Sequence, residues 1–242
     1  MDPDRHAQRS ARRHGGEPDD FYALHAFFDV TKELCSDNRH RLLHNLWGIR
    51  RLVIPLFGPH VALTGGGRAR TKDVCEHDHV LLDFRGLYLP TLADFTGAIA
   101  EEPNELARFE ALRRPYLGDD DVVRLLLSPY AVTGHPQALL VTHNTWFLAE
   151  VLPRLFPHVR HPTPRGVAPS ELFARMRFEL WMDNGAAPPP SAPRSIQSRE
   201  SADPSDRPTR TTDPARLDLA LVSTPDLAPT SSPAPIPTER YS

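Results

Sequence analysis

Between positions 19 and 185 the apolar residues recur at three- and four-residue intervals, first as Phe21, Leu24, Ala26, Phe27 and Phe28 and then as Leu42, Leu43, Trp47 and Leu52. This is the period of amphipathic helices. It predicts one helix through Phe21 to Phe28, and a second that Asp37 or Asn38 caps and that Pro55 and Gly58-Pro59 end. Gly65-Gly66-Gly67 predicts a loop, followed by a third helix from near Thr71 with Asp73 and Glu76 in its early turns. Leu87 to Leu89 reads as a short strand or an extended connection, and Pro90-Thr91 places a cap before Leu92 to Ile99. Asp119-Asp120-Asp121 reads as a helix N-terminus before Val122 to Leu127, because carboxylates there complement the helix dipole. The expected fold class is mainly α.

The chain also echoes itself. His44-Asn45-Leu46-Trp47, with Leu56-Phe57, recurs 99 positions later as His143-Asn144-Thr145-Trp146, with Leu155-Phe156. Pro59-His60-Val61 matches Pro157-His158-Val159 at an offset of 98, and Asp83 and Gly86 find Asp183 and Gly185 at offsets of 100 and 99. The pattern predicts a core of two degenerate copies, 19–100 and 119–185, joined by a linker at 101–118 and packed face to face. Residues 1–18 carry Arg5, Arg9, Arg12, Arg13, Gly15 and Gly16 without apolar periodicity and are expected to be a loose, disordered arm. Residues 186–242 hold 12 of the 26 prolines and are expected to be a disordered tail, in which Leu217 to Val222 is a candidate segment for a protein partner.

Composition narrows the function classes. With 28 basic against 31 acidic side chains the formal charge is −3, which argues against a globally basic nucleic-acid binder. The longest apolar run, Trp146 to Phe156, is broken by Glu150, Pro153 and Arg154, so no membrane span is expected. Two cysteines, Cys35 and Cys75, make no disulfide framework, and no signal-peptide order precedes the helices, so the expected location is the cytoplasm. Of the basic residues 26 are Arg, a usage that suggests a GC-rich bacterial or viral source. No phosphate loop follows Gly65-Gly66-Gly67-Arg68, and no serine sits in a nucleophile elbow.

What remains is a set of histidines and carboxylates at helical spacings. His40 and His44 stand four apart, which on an α-helix projects both rings from one face. Glu76, His79 and Asp83 fall at i, i+3 and i+7, again one stripe, and His25 and Asp29 form a further i, i+4 pair. Glu-x-x-His is a pairing by which helical bundles hold metals between facing helices. The candidate metal ligands are therefore His40, His44, Glu76, His79 and Asp83, and the mixture of imidazole and carboxylate suits zinc, iron or manganese. If the metal served hydrolysis of a phosphoester, His44 and Asp83 would be catalytic and Arg39 or Arg41 would clamp the phosphate. The site is expected in the first copy alone, since Leu139 stands where His40 would repeat, and Arg177 and Phe178 where His79 would. The other role open to the retained His-Asn-x-Trp is structural, a buried His bonded to backbone beside a packed Trp.

Two resemblances bear on this set. The run Asp37-Asn38-Arg39-His40-Arg41-Leu42-Leu43-His44-Asn45, with Lys32 before it and Gly48-Ile49 after it, resembles the signature of an uncharacterised family of small bacterial and phage proteins over residues 21–98. That family continues with a Glu-x-His-Val element, an Asp and a turn ending in Pro-Thr, to which Glu76-His77-Asp78-His79-Val80, Asp83 and Leu89-Pro90-Thr91 correspond with one extra residue between Glu76 and His79. The second is an analogy to the HD phosphohydrolases, to which His44, His77-Asp78 and Asp119 or Asp121 can be fitted. The sequence thus suggests a divalent-metal-binding protein, as a metal-dependent phosphoester hydrolase. The alternative is a non-catalytic helical protein-interaction module.

Overall fold

A computed structural model of the chain describes residues 2–97, 99–100, 102, 104–163 and 165–177, all within the first of two compact units, Met1–Ala202. The expected Pro-rich tail and the Asp183 and Gly185 echoes lie outside the described residues. The fold is mainly helical, as the apolar period requires, and no described helix is long and apolar enough to cross a membrane.

The expected loose arm is instead a helix, α1 (Pro3–His14). Its local signals are complete: the Asp2 side chain accepts from the Arg5 N–H, Pro3 sits in the first turn, Arg12, Arg13 and His14 lie in the last, and Gly15 ends it at φ 83°. The stripe it buries is His6, Ala7 and Ser10, so apolar periodicity carries no trace of it. Helix α2 (Pro18–Asp29) packs against α1 and starts with a capping box between Glu17 and Asp20. Its inner face holds Phe21, Leu24 and Phe28, but also His25 and Asp29.

The second predicted helix is two elements. Asp37 caps a 3-10 helix (Asn38–Leu43), the chain turns at His44, and Asn45 then caps α3 (46–57) through the Gly48 N–H. Where the chain folds back, Gly48 lies so close to Leu43 that a Cβ would stand 2.1 Å from its carbonyl oxygen. Helix α3 is α-helical at Leu46–Gly48, π-helical at Ile49–Val53 and α-helical again at Ile54–Phe57. Pro55 therefore does not end the helix. It cannot donate to the carbonyl one turn back, the π-turn absorbs that break, and Gly58 terminates the helix at φ 82°.

The glycine loop closes a hairpin of β1 (His60–Ala62) and β2 (Arg68–Arg70), antiparallel in the register Val61 opposite Ala69. Helix α4 (71–83) follows and again carries a π-turn, Glu76–Val80, between Thr71–Cys75 and Leu81–Asp83. Leu87 to Leu89 forms no strand. Thr91 and Asp94 make a capping box for α5 (Leu92–Thr96). The stretch expected to be a linker contains α6 (Glu105–Arg113) and a 3-10 turn, Arg114–Tyr116, because Phe109 and Tyr116 anchor it in the core. Asp119 caps α7 (Asp120–Thr133) as predicted.

After α7 the local structure of the first copy recurs. A six-residue 3-10 helix (Pro136–Val141) leads to His143 and Asn144, and Asn144 Oδ1 accepts from Phe147 N as Asn45 Oδ1 accepts from Gly48 N. Helix α8 (147–155) then begins with a π-turn, Phe147–Val151, ahead of Pro153. The copies diverge beyond this point. Leu46 N bonds to Pro90 O just before α5, whereas Thr145 N bonds to Val167 O just before α9 (Pro169–Arg175). In that correspondence α9 matches α5, and no described residue of the second copy takes the place of α4. The shared core contains Phe21, Phe28, Ile49, Leu52, Phe84, Phe95, Leu126 and Phe147, with Trp47 reaching Ser128 Oγ at 2.8 Å through its indole nitrogen.

Candidate metal centre

Three of the five ligands expected from sequence meet in the core. His44 Nε2 lies 3.1 Å from His79 Nε2 and 3.2 Å from Asp83 Oδ2, and Asp29 Oδ1 is 3.6 Å from the same His44 nitrogen. All four side chains are buried or nearly so. Four basic atoms converge here, and the His44 nitrogen carries at most one hydrogen to share among three acceptors. His44 Nδ1 has no hydrogen-bond partner among the described residues, and Asp29 Oδ1 has none either. Nitrogen–nitrogen spacings near 3 Å are what adjacent ligands show around an ion bonded at about 2.1 Å.

His79 is the hinge of a larger cluster. Its ring is covered on its faces by Phe28 (centroids 4.5 Å apart) and His6 (4.0 Å), which leaves its two in-plane nitrogens as the polar contacts. Nδ1 lies 3.0 Å from His25 Nδ1. His25 Nε2 in turn lies 2.9 Å from Ser10 Oγ. His6 Nδ1 lies 2.6 Å from the Asp78 carbonyl, which only accepts, and His6 Nε2 lies 3.1 Å from Asp83 Oδ1. Asp78 is held by Arg13 at 2.9 Å and His14 at 2.8 Å. Within this cluster His6, His25 and His79 form one group whose ligand atoms lie within 4.8 Å of one another, and Asp29, His44 and His79 form a second.

Protonation suits metal binding. Burial pushes His79 well below the usual imidazole range, and the neighbouring His44, His6 and His25 reinforce it. Burial, with repulsion from His6, brings His25 down to about 3. Burial opposes ionisation of Asp83, but hydrogen bonds from His44 and His6 outweigh it and hold the carboxylate below its ordinary value. Burial likewise opposes ionisation of Asp29, and contacts from His44 and Lys32 outweigh it. Neutral imidazoles and ionised carboxylates are the ligand forms that metals require. Cys75 is not of this kind, since burial pushes its thiol up.

The other expected residues are engaged with partners of their own. Glu76 is buried, yet its Oε2 pairs with Lys72 at 2.7 Å. The π-turn Glu76–Val80 breaks the α-helical phase that would have aligned Glu76 with His79 and Asp83. The extra residue relative to the resembled Glu-x-His-Val element falls inside this turn. His40 bonds through Nδ1 to the Asp37 carbonyl at 2.5 Å, and its ring stands edge-on to that of His44 with centroids 6.1 Å apart. It does not share a stripe with His44, because a 3-10 helix turns 120° per residue and His44 has already left it. Arg39 is engaged by Asp37 and the Phe173 carbonyl, so it does not clamp a ligand at the cluster. Arg41 lies over Phe84, with Nη1 3.5 Å from the Asp83 carbonyl. The HD pattern is not assembled either, since Asp119 caps α7 and Asp121 pairs with Arg124 at the surface.

Sequence reasoning missed His6, Ser10, Arg13 and His14 by treating α1 as an arm. The signal was there in the Asp2-Pro3 start, the Gly15 stop and polar residues four apart between them. The His25 and Asp29 pair, read from its spacing, does face the cluster.

Every member of the cluster lies in one stretch of the chain. Residues 1–104 match the model of a domain of unknown function, DUF6915. The match fits the resemblance to an uncharacterised family and spans α1 through α5, the elements that build the centre. No curated protein and no solved structure matches the chain.

The second copy provides an internal control. His143, the counterpart of His44, is fully buried, its Nδ1 lies 2.8 Å from the Leu139 carbonyl and its Nε2 lies 3.1 Å from Arg113 Nη1. A neutral ring that donates at Nδ1 and accepts at Nε2 satisfies both contacts, and burial holds its pKa down at about 3.

Proposed function

We propose that the N-terminal region is a divalent-metal-binding domain, in which Asp29, His44, His79 and Asp83 hold the ion. The observation that carries this reading is the convergence of His79 Nε2, Asp83 Oδ2 and Asp29 Oδ1 on His44 Nε2 inside the core. Two carboxylates neutralise a divalent cation, and two imidazoles complete an uncharged set, which a low-dielectric interior tolerates. Zinc, iron and manganese all accept such nitrogen and oxygen donors. The contrast with His143 supports it, since the same His-Asn motif in the second copy is satisfied by a carbonyl and an arginine.

A phosphoesterase has less behind it. The ring nitrogens are buried, closed centres of this kind usually support structure, and catalytic ones keep a position open to water. We therefore assign the ion first to holding α2 and α4 on the turn at His44. The test is metal analysis of purified protein, with melting before and after chelation. An ion present at a hundred times its dissociation constant contributes about 2.7 kcal/mol. For a folded region of this size that corresponds to a fall of roughly 5 to 10 °C on chelation. His44→Ala and Asp83→Asn should abolish both metal and shift. No metal after reconstitution with zinc, iron or manganese, together with a melt indifferent to chelator, would overturn the assignment and favour the interaction module.

A further inference from the structure

Both nitrogens of one buried ring face nitrogens of other imidazoles. His79 Nε2 points at His44 Nε2 from 3.1 Å, and His79 Nδ1 points at His25 Nδ1 from 3.0 Å. The two metal-competent groups, Asp29 with His44 and His6 with His25, share His79 and nothing else. We propose that the His79 ring bridges two metal ions, one held with His44, Asp29 and Asp83, and the other with His25 and His6.

The proposal rests on the metal-binding reading and adds a second ion to it. A neutral imidazole brings one lone pair and one N–H, so a single ion would leave the opposite nitrogen as an ordinary hydrogen-bond donor. Binding of the second ion displaces that remaining proton to water, and the ring then donates a lone pair from each side. With bonds of about 2.1 Å on both sides of the ring, the ions would stand roughly 6 Å apart. The surroundings supply His6 and a carboxylate oxygen beside the second position. His6 Nδ1 faces the Asp78 carbonyl at 2.6 Å, and its Nε2 faces Asp83 Oδ1 at 3.1 Å. Asp83 also sends its other oxygen to His44, so one carboxylate flanks both positions.

Copper(II) is the probe, because it takes nitrogen sites tightly and its unpaired electron reports its neighbours. Apo-protein of the full chain should take up two equivalents, by elemental analysis after desalting. The low-temperature EPR intensity of the two-copper form should fall well below two spins, since an imidazolate bridge couples the pair antiferromagnetically. His25→Ala should bind one equivalent and show the full signal of one isolated copper. His6→Gln gives the same comparison if His25→Ala fails to fold. Uptake of a single equivalent by the wild type, or two equivalents with a full two-spin signal, overturns the bridge and leaves the single-ion reading standing. No uptake overturns both.

Discussion

Replacing His143 and following stability across pH tests the role assigned to this ring without altering a proposed metal ligand. In the folded protein this ring is neutral, bonded to Leu139 and Arg113, with a pKa of about 3 against an ordinary value of 6.5. The unfolded chain therefore takes up a proton below pH 6.5 that the folded chain refuses. Stability from this residue is complete above that value, is lost as pH falls, and stops falling near pH 3. At pH 5 the two titrations give a loss of about 2 kcal/mol, approaching 1.4 kcal/mol per pH unit in between. Other buried groups also titrate, so the assay is a difference between wild type and His143→Gln. Urea unfolding at pH 7.5 should show the variant less stable by roughly 1 to 3 kcal/mol, the cost of disturbing two buried hydrogen bonds. By pH 5 that gap should narrow by about 2 kcal/mol, because only the wild type carries the penalty. A gap that stays constant across the range would refute the argument, since it would mean that His143 binds its proton equally well in both states.

Two further substitutions probe the repeat. Trp47→Ala should cost roughly 3 to 5 kcal/mol in denaturant melts, because Trp47 is 4% exposed and bonded to Ser128, while the partly buried Trp146 should cost clearly less when replaced by Ala. Gly48→Ala should destabilise by about 1 to 3 kcal/mol or more, since the new methyl would meet the Leu43 carbonyl and only backbone movement relieves it. A neutral Gly48→Ala in the same melts would show that this turn is looser than described.

Much of the fold was legible in local chemistry. The apolar period gave α2 and the mainly helical class, and Asp37, Thr91 and Asp119 fixed three helix starts, because a cap is an interaction between near neighbours. The echo between His44-Asn45 and His143-Asn144 correctly marked a recurring turn, for the Asn side chain and the proline after the π-turn act within a few residues of themselves. Spacing likewise brought out His79 with Asp83 and His25 with Asp29, since side chains four apart share a face wherever the helix is regular.

Only the tertiary structure decided which of these residues meet. His40 stands edge-on beside His44 rather than one turn along the same stripe, because the backbone chooses a 3-10 helix and then a turn, and Glu76 parts from His79 because a π-turn shifts the phase. Both are adjustments of hydrogen-bond register that composition does not encode. Helix α1 is the clearest case: its caps are local and readable, but its buried face is His6, Ala7 and Ser10. A polar stripe is worth burying only against partners that satisfy it, and those partners, Asp78, Asp83 and His25, stand up to 77 residues away along the chain. The identity of His44 and His143 was likewise written in the sequence. Their opposite environments came from α4, which the fold lays against the first turn and for which the described part of the second copy has no counterpart.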